Sequence, residues 1–329
     1  MPYSLSLGLT CAFSISSKTD CIVGSVMQDG TSFNLQSDSS AMEPVKSPLV
    51  TEKIVELQGA ELRTQAFGNP TSPPVLLIMG VMSSMLWWPE RFCEELAAQG
   101  RYVIRYDQRD TGLSTHYPPG KPDYSFSDLS NDAVAILDGY GIEAAHLVGM
   151  SMGGFVAQEA ALRYPQRVRT LTLISSSPVG IDGLPSSTAA YKEHSAAAES
   201  IDWSDLEAIA DFLRRDAAML AGTGHPHDAR SAKTLIARDM ERAPSFVSAT
   251  NHFMLLGEDG GAKLHASRIE APVLAIHGTS DPLFPIEHGE AFTRDVANAK
   301  LHRITGGGHE IHDQDIDEMT RVIAGHTAS

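Results

Sequence analysis

Residues 149–154 read Gly149-Met150-Ser151-Met152-Gly153-Gly154, a G-x-S-x-G stretch between two unlike neighbours. Ahead of it, Ala145-His146-Leu147-Val148 is a short apolar run that predicts a strand. Behind it, Phe155 to Tyr164 carries apolar residues at helical spacing and is closed by Pro165. Strand, sharp turn and helix is the setting in which a serine Oγ stands exposed at the end of a parallel sheet. The glycines have a steric reason, because Cβ atoms at 149 and 153 would crowd the crossing of strand and helix. The motif alone is weak. With 27 glycines in 329 residues, it arises by chance in roughly one chain in five of this length. A helix start capped by Ser151 explains it equally well, so the surrounding chain has to decide.

Outward from that stretch the pattern is regular. Ile54 to Leu57 and Leu62 to Phe67 predict a hairpin turning at Gly59-Ala60. Pro74 to Met79 is a continuous apolar run, the mark of a strand buried on both faces. A helix is predicted from Trp88 to Ala98, a strand over Tyr102 to Tyr106, a helix over Phe126 to Leu137 and a strand over Thr170 to Ser175. Strand and helix thus alternate as in βαβ units, which predicts an α/β fold with a mainly parallel sheet flanked by helices. The alternation stops over residues 178–268, where only helical periodicity is found: Leu206 to Met219, Ala232 to Met240 and Phe246 to Leu256. It resumes with a strand at Pro272 to Ile276, a helix near Glu287 to Val296, a strand at Lys300 to Ile304 and a helix over Ile316 to His326. The expected organisation is a core of residues 51–177 and 269–329, interrupted by an all-helical cap over residues 178–268.

An activated serine needs a base within hydrogen-bond reach, and the base needs a carboxylate to fix its tautomer. Both stand past buried strands. The strand ending at Ile276 runs into His277-Gly278-Thr279-Ser280-Asp281-Pro282, and the one ending near Ile304 runs into Gly306-Gly307-Gly308-His309. Singly, Asp281 is a plausible turn residue and His309 is one of thirteen histidines. Jointly, Ser151, Asp281 and His309 fall in a fixed order at the carboxyl ends of strands, where open α/β sheets bind their ligands. The oxyanion donors expected with them are the backbone N–H of Met152 and that of Val81, in the loop Met79-Gly80-Val81-Met82. Met82 and Trp88, with Trp87 beside it, are candidates for the substrate pocket. Arg109 and Asp110 are read as residues that tie down their own loop.

Composition narrows the classes. The apolar fraction is 42% and the charged fraction 20%, ordinary for a globular protein with a sizeable core. A formal net charge of −16 argues against nucleic acid and anionic membrane surfaces. No apolar run approaches the roughly 18 residues that span a bilayer. Three cysteines, Cys11, Cys21 and Cys93, cannot build a disulfide framework, and no CxxC pair is present. His309-Glu310-Ile311-His312 is not H-E-x-x-H, and His225 and His227 bracket a proline as in a loop. No metal and no cofactor are expected. Residues 1–50 are serine-rich without a sustained period, and Met1 to Thr10 lacks the basic start of a secretory signal. They are read as a poorly ordered extension. A cleaved targeting peptide and synthesis beginning at Met42 stay open. A cytoplasmic location is expected, with export or targeting left open by that extension.

These residues resemble a known family. The chain from about Ile54 to His326 is similar to the α/β-hydrolase superfamily and, within it, to bacterial esterases of the aclacinomycin-methylesterase type. The closer match rests on Leu77-Ile78-Met79-Gly80, Trp88-Pro89, Val103-Ile104-Arg105-Tyr106-Asp107, Arg109-Asp110-Thr111-Gly112, Val148 to Gly153 and Gly308-His309. It departs from the superfamily at Met79, where a histidine often precedes the loop glycine. The resemblance implies nucleophile, acid and base at Ser151, Asp281 and His309, and oxyanion donors at Met152 and Val81. It implies hydrolysis of a small-molecule ester through an acyl-enzyme. Ser151 argues against epoxide hydrolase and dehalogenase chemistry, which needs a carboxylate nucleophile. Cofactor-free haloperoxidases, lactonases and C–C hydrolases share the serine set and stay open, as does a ligand-binding member that has lost turnover.

Overall fold

The computed structural model describes residues 52–57, 59–256 and 264–328. The leading extension, with Cys11 and Cys21, lies outside the described residues.

Eight strands form one sheet: β1 (Glu52–Leu57), β2 (Ala60–Phe67), β3 (Pro74–Ile78), β4 (Tyr102–Tyr106), β5 (Ala145–Met150), β6 (Val168–Ile174), β7 (Val273–Gly278) and β8 (Ala299–Ile304). Their order across the sheet is β1-β2-β4-β3-β5-β6-β7-β8. The β1–β2 hairpin is antiparallel and joins β4 antiparallel, and all pairs from β4 to β8 are parallel. The continuous apolar run at β3 has its explanation in the two cores. Leu76 and Ile78 pack on one face with Leu129 and Ile136 of α2 (Phe126–Gly139) and Val156 of α3 (Met152–Arg163). Val75 and Leu77 pack on the other with Phe92 and Leu96 of α1 (Glu90–Ala98), together with Met319 and Ile323 from the C-terminal end of the chain. Successive side chains of a strand point to opposite faces, so a strand covered on both sides must be apolar throughout.

Between β6 and β7 lie α4 (Ala189–Ala196), α5 (Leu206–Leu220), α6 (Ala229–Arg242) and α7 (Asn251–Leu255), with no strand among the described residues of that insertion. After β7 come α8 (Glu287–Asp295) and α9 (Ile316–His326).

The differences from the sequence reading are local. The helix expected from Trp88 begins at Glu90 because Pro89 occupies its N-cap and a 3-10 turn, Met85–Trp87, precedes it. The periodic stretch Phe246 to Leu256 divides into a 3-10 turn, Phe246–Thr250, and α7. Helix α4 has no counterpart in the sequence pattern. It buries only Tyr191 and Ser195, too few apolar positions to set a period, and is started by the Thr188 side chain accepting from the Tyr191 N–H. Cys93 is buried on the inner face of α1.

Candidate active site

Ser151 stands between β5 and α3 with φ 52° and ψ −120°, a left-handed backbone rare outside glycine. Its N–H donates to the Ile174 carbonyl at 3.0 Å, which holds the turn against β6. The turn is tight. A Cβ at Gly149 would run into the Gly153 carbonyl, and one at Gly153 into the Ile78 carbonyl of β3. The Ser151 side chain makes no cap hydrogen bond to α3. That separates it from an ordinary helix-capping serine, whose oxygen is consumed by the N–H groups of the first turn. Instead Ser151 lines a cavity of about 800 Å3, which His309, Val81, Met82 and Met152 also line.

Asp281 leaves the end of β7 and is almost fully buried. Its Oδ1 accepts from the N–H groups of Leu283 (2.9 Å) and Phe284 (2.8 Å). Its Oδ2 lies 2.8 Å from His309 Nδ1. Burial raises the carboxyl, but the charge and hydrogen bond of His309, with His277 and the Phe284 N–H, outweigh it and hold Asp281 below the ordinary carboxylate value. An ionised Asp281 only accepts, so the Nδ1 that faces it carries a proton, and in the neutral ring the lone pair is then on Nε2. Behind the pair, His277 Nε2 donates to the Phe284 carbonyl at 2.7 Å and lies 3.6 Å from Asp281 Oδ2. Burial lowers His277 against the pull of Asp281, and its bond to the Phe284 carbonyl steadies the turn after Asp281.

The glycines before His309 have a purpose beyond freedom of the loop. The insertion's backbone passes directly against them: a Cβ at Gly308 would run into the Leu220 carbonyl. That carbonyl accepts from the His309 N–H at 2.8 Å, and Gly222 N–H donates to Glu310 Oε1 at 3.1 Å.

The Met79–Met82 loop lies against Ser151. A Cβ at Gly80 would sit 3.3 Å from Ser151 Cβ and 3.9 Å from its Oγ. Gln108 Nε2 donates to the Met79 carbonyl at 2.8 Å, and the Met82 N–H donates to His252 Nδ1 at 3.2 Å. The stretch 107–112 therefore serves the site. Arg109 pairs with Asp132, and Asp110 accepts from Tyr124 and from Asn251 of the insertion.

Trp88 requires a correction. It does not line the cavity; Trp87 does. Trp88 is fully buried 5.3 Å from Phe92, its carbonyl taken by the Arg105 guanidinium. Trp87, in the 3-10 turn, reaches the cavity while Trp88, just after it, does not, and Trp87 Nε1 donates to Asp239 of α6 at 2.6 Å. The insertion supplies much of the remaining wall, including Tyr191, Trp203, Phe212, Phe246 and Phe253.

Sequence reasoning left His277, Gln108 and His252 without roles. His277 was visible at the end of its strand motif. Nothing local marks the other two, because the atoms they hold are 29 and 170 residues away in the chain.

Among the described residues, His225, His312 and Asp315 bring possible metal-ligand atoms within 4.8 Å of one another. The two rings stack 4.5 Å apart and 15° from parallel. His225 Nε2 is hydrogen-bonded to Asp315 at 2.9 Å and His312 Nδ1 accepts from the Gln314 N–H at 3.2 Å. The trio is a hydrogen-bonded stack joining the insertion to the start of α9. Among the described residues no helix is long and apolar enough to cross a membrane.

Comparison with known proteins agrees with the fold. A family model described as the alpha/beta hydrolase fold matches residues 73–316. Rhodomycin D methylesterases from Streptomyces sp. (strain C5) and Streptomyces peucetius are each 30% identical over 282 residues, covering 81% of this chain and 94% of theirs. The solved structure of a 2-hydroxy-6-oxo-6-phenylhexa-2,4-dienoate hydrolase from Rhodococcus sp. strain RHA1 superposes with a TM-score of 0.69 at 21% identity, over 85% of this chain and 99% of that one.

Proposed function

The chain belongs to the α/β-hydrolase fold family, and from that premise we propose that it hydrolyses carboxylic esters with Ser151 as nucleophile, His309 as base and Asp281 as the acid member. One observation carries the reading. A strained, uncapped serine opens into the same cavity as a histidine whose Nδ1 is tied to a buried carboxylate.

Ser151 Oγ attacks the ester carbonyl carbon while its proton passes to His309 Nε2. The oxyanion is held by the Met152 and Val81 N–H groups, which are fixed before charge develops. Collapse breaks the carbon–oxygen bond, and the alcohol departs with the proton from His309. Water, deprotonated by the same Nε2, then attacks the acyl-enzyme and restores Ser151. Asp281 stays ionised throughout and stabilises the imidazolium.

The insertion acts as a cap that walls the cavity and excludes bulk water. A cavity of about 800 Å3 with aromatic walls suits a large apolar acyl group. The methylesterase relatives support a small alcohol on the other side of the ester. The test is a panel of methyl esters of large aromatic acids, short-chain p-nitrophenyl esters, lactones and C–C hydrolase substrates. The highest kcat/KM is expected on methyl esters of large acids. A panel in which lactones or carbon–carbon bonds are cleaved and esters are not would overturn the assignment.

A further inference from the structure

His252 belongs to α7 of the insertion and is fully buried. Its two ring nitrogens make different bonds. Nε2 lies 2.8 Å from the Arg109 carbonyl and Nδ1 lies 3.2 Å from the Met82 nitrogen. A carbonyl can only accept and an amide N–H can only donate. The ring is therefore neutral, with its proton on Nε2 and its lone pair on Nδ1. Protonation would turn a second N–H against the Met82 N–H. Burial lowers the His252 pKa, opposed by the Arg109 carbonyl and by the charge of Asp110, the acidic group that faces it from the core.

Met82 needs something to hold it. Its φ is 61°, in the left-handed region, although it is not glycine. Such a conformation is strained and persists only where the surroundings enforce it. The loop is clamped at both ends, by Gln108 of the core on the Met79 carbonyl and by His252 of the insertion on the Met82 N–H. The Met82 side chain is also packed among Ile209, Phe246 and Ala249 of the insertion. Val81, whose N–H is assigned to the oxyanion, lies between the clamps.

We propose that His252 is a positioning residue for the oxyanion loop: its Nδ1 lone pair fixes the Met82 N–H and, through it, the direction of the Val81 N–H. The insertion thus contributes to transition-state stabilisation through a side chain that does not line the cavity. This rests on the ester-hydrolase reading and on Val81 as the loop donor.

Two conservative variants separate positioning from mere bolting of the insertion. His252→Gln places an amide nitrogen near Nε2, so it keeps the Arg109 bond and loses the acceptor for Met82. His252→Asn places a carbonyl oxygen near Nδ1, so it keeps that acceptor and loses the Arg109 bond. Loss of a whole oxyanion donor costs about 10²–10³-fold in kcat, and a misaimed donor costs less. His252→Gln should lower kcat by about 10–100-fold with KM within about threefold, and His252→Asn should recover most of that loss. The proposal fails if His252→Gln matches wild type, if Asn is no better than Gln, or if only KM moves. A measurement on the unaltered protein stands apart from the folding of any variant. In the 15N spectrum of histidine-labelled wild type, His252 should show unprotonated Nδ1 and protonated Nε2 throughout about pH 5.5–8. A proton on Nδ1 in that range overturns the proposal. A wild type that turns over no ester but shows this tautomer would instead remove the ester reading and with it the catalytic role.

Discussion

Asp281 and the Met79–Met82 loop stand at the same end of the sheet, yet they are held from different places. Among the described residues the hydrogen bonds to the Asp281 carboxylate come from Leu283, Phe284 and His309, all of the core, with His277 of the core 3.6 Å away. The serine turn is likewise held by β6 and by Ser176, whose hydroxyl donates to the Ser151 carbonyl at 3.0 Å. The Met79–Met82 loop, held by Gln108 of the core at one end, and the backbone of His309 also lean on the insertion, through His252 and the Leu220 carbonyl. The insertion also reaches Asp107 and Glu52 through Arg242, and Trp87 through Asp239. Asp281 and the Ser151 turn are thus held from the sheet side, while the Met79–Met82 loop and the His309 backbone are held in part by the insertion, which also supplies much of the cavity wall.

The sharpest way to isolate the sheet side is Asp281→Asn. The amide cannot stabilise the imidazolium and favours the wrong tautomer of His309, so kcat should fall by about 10⁴-fold in a protein that still folds. Steady-state kinetics with a circular dichroism control checks this. Near-normal turnover would reduce Asp281 to a turn residue.

That half of the site was legible because its residues follow strands directly. Buried strands announce themselves as apolar runs, and Ser151 and Asp281 come within a few residues of two of them, β5 and β7; β8, which precedes His309, is only partly buried, and there the glycines and the histidine were the signal. The sheet face, the serine turn and the break in alternation after β6 were readable for the same local reason. The other half was not. Nothing local marks His252, and Gln108 lies between two motif stretches without belonging to either; the backbone groups they hold are far off in the chain. Trp88 shows the limit at a single step: Trp87 and Trp88 are adjacent and chemically identical, and only the 3-10 turn at Met85–Trp87 decides which faces the cavity.

Replacing residues 181–264 by a short linker tests the insertion side as a unit. If it served only as a wall, a small ester that fills no wall would be cleaved as before. With Leu220 and His252 gone, kcat on p-nitrophenyl acetate should fall about 10²-fold or more in a folded core. An undiminished kcat on that substrate would return the insertion to a purely selective role.

The smallest expected effect lies at the seam between the two sides. Burial raises the Asp239 carboxyl from 3.8 to about 6, against the donors of Ser84 and Trp87, with the charge of Asp107 adding to the rise. Folded Asp239 thus keeps its proton to a higher pH than the unfolded chain does. Its contribution to stability falls as pH rises between those two values and is level above them. Asp239→Asn has no proton to lose. Its stability relative to wild type should increase by about 1–3 kcal/mol between about pH 4 and pH 7. Denaturant unfolding at the two pH values measures it, and an unchanged or reversed difference would mean that Asp239 ionises freely against the core.

Both halves of the comparison presuppose that Ser151 is the nucleophile they serve. Intact-mass spectrometry after incubation with a fluorophosphonate probe tests that directly. The wild type should gain one adduct, Asp281→Asn should gain it more slowly, and Ser151→Ala should gain none. A Ser151→Ala protein that labels as fully as the wild type would show that the reactive group lies elsewhere.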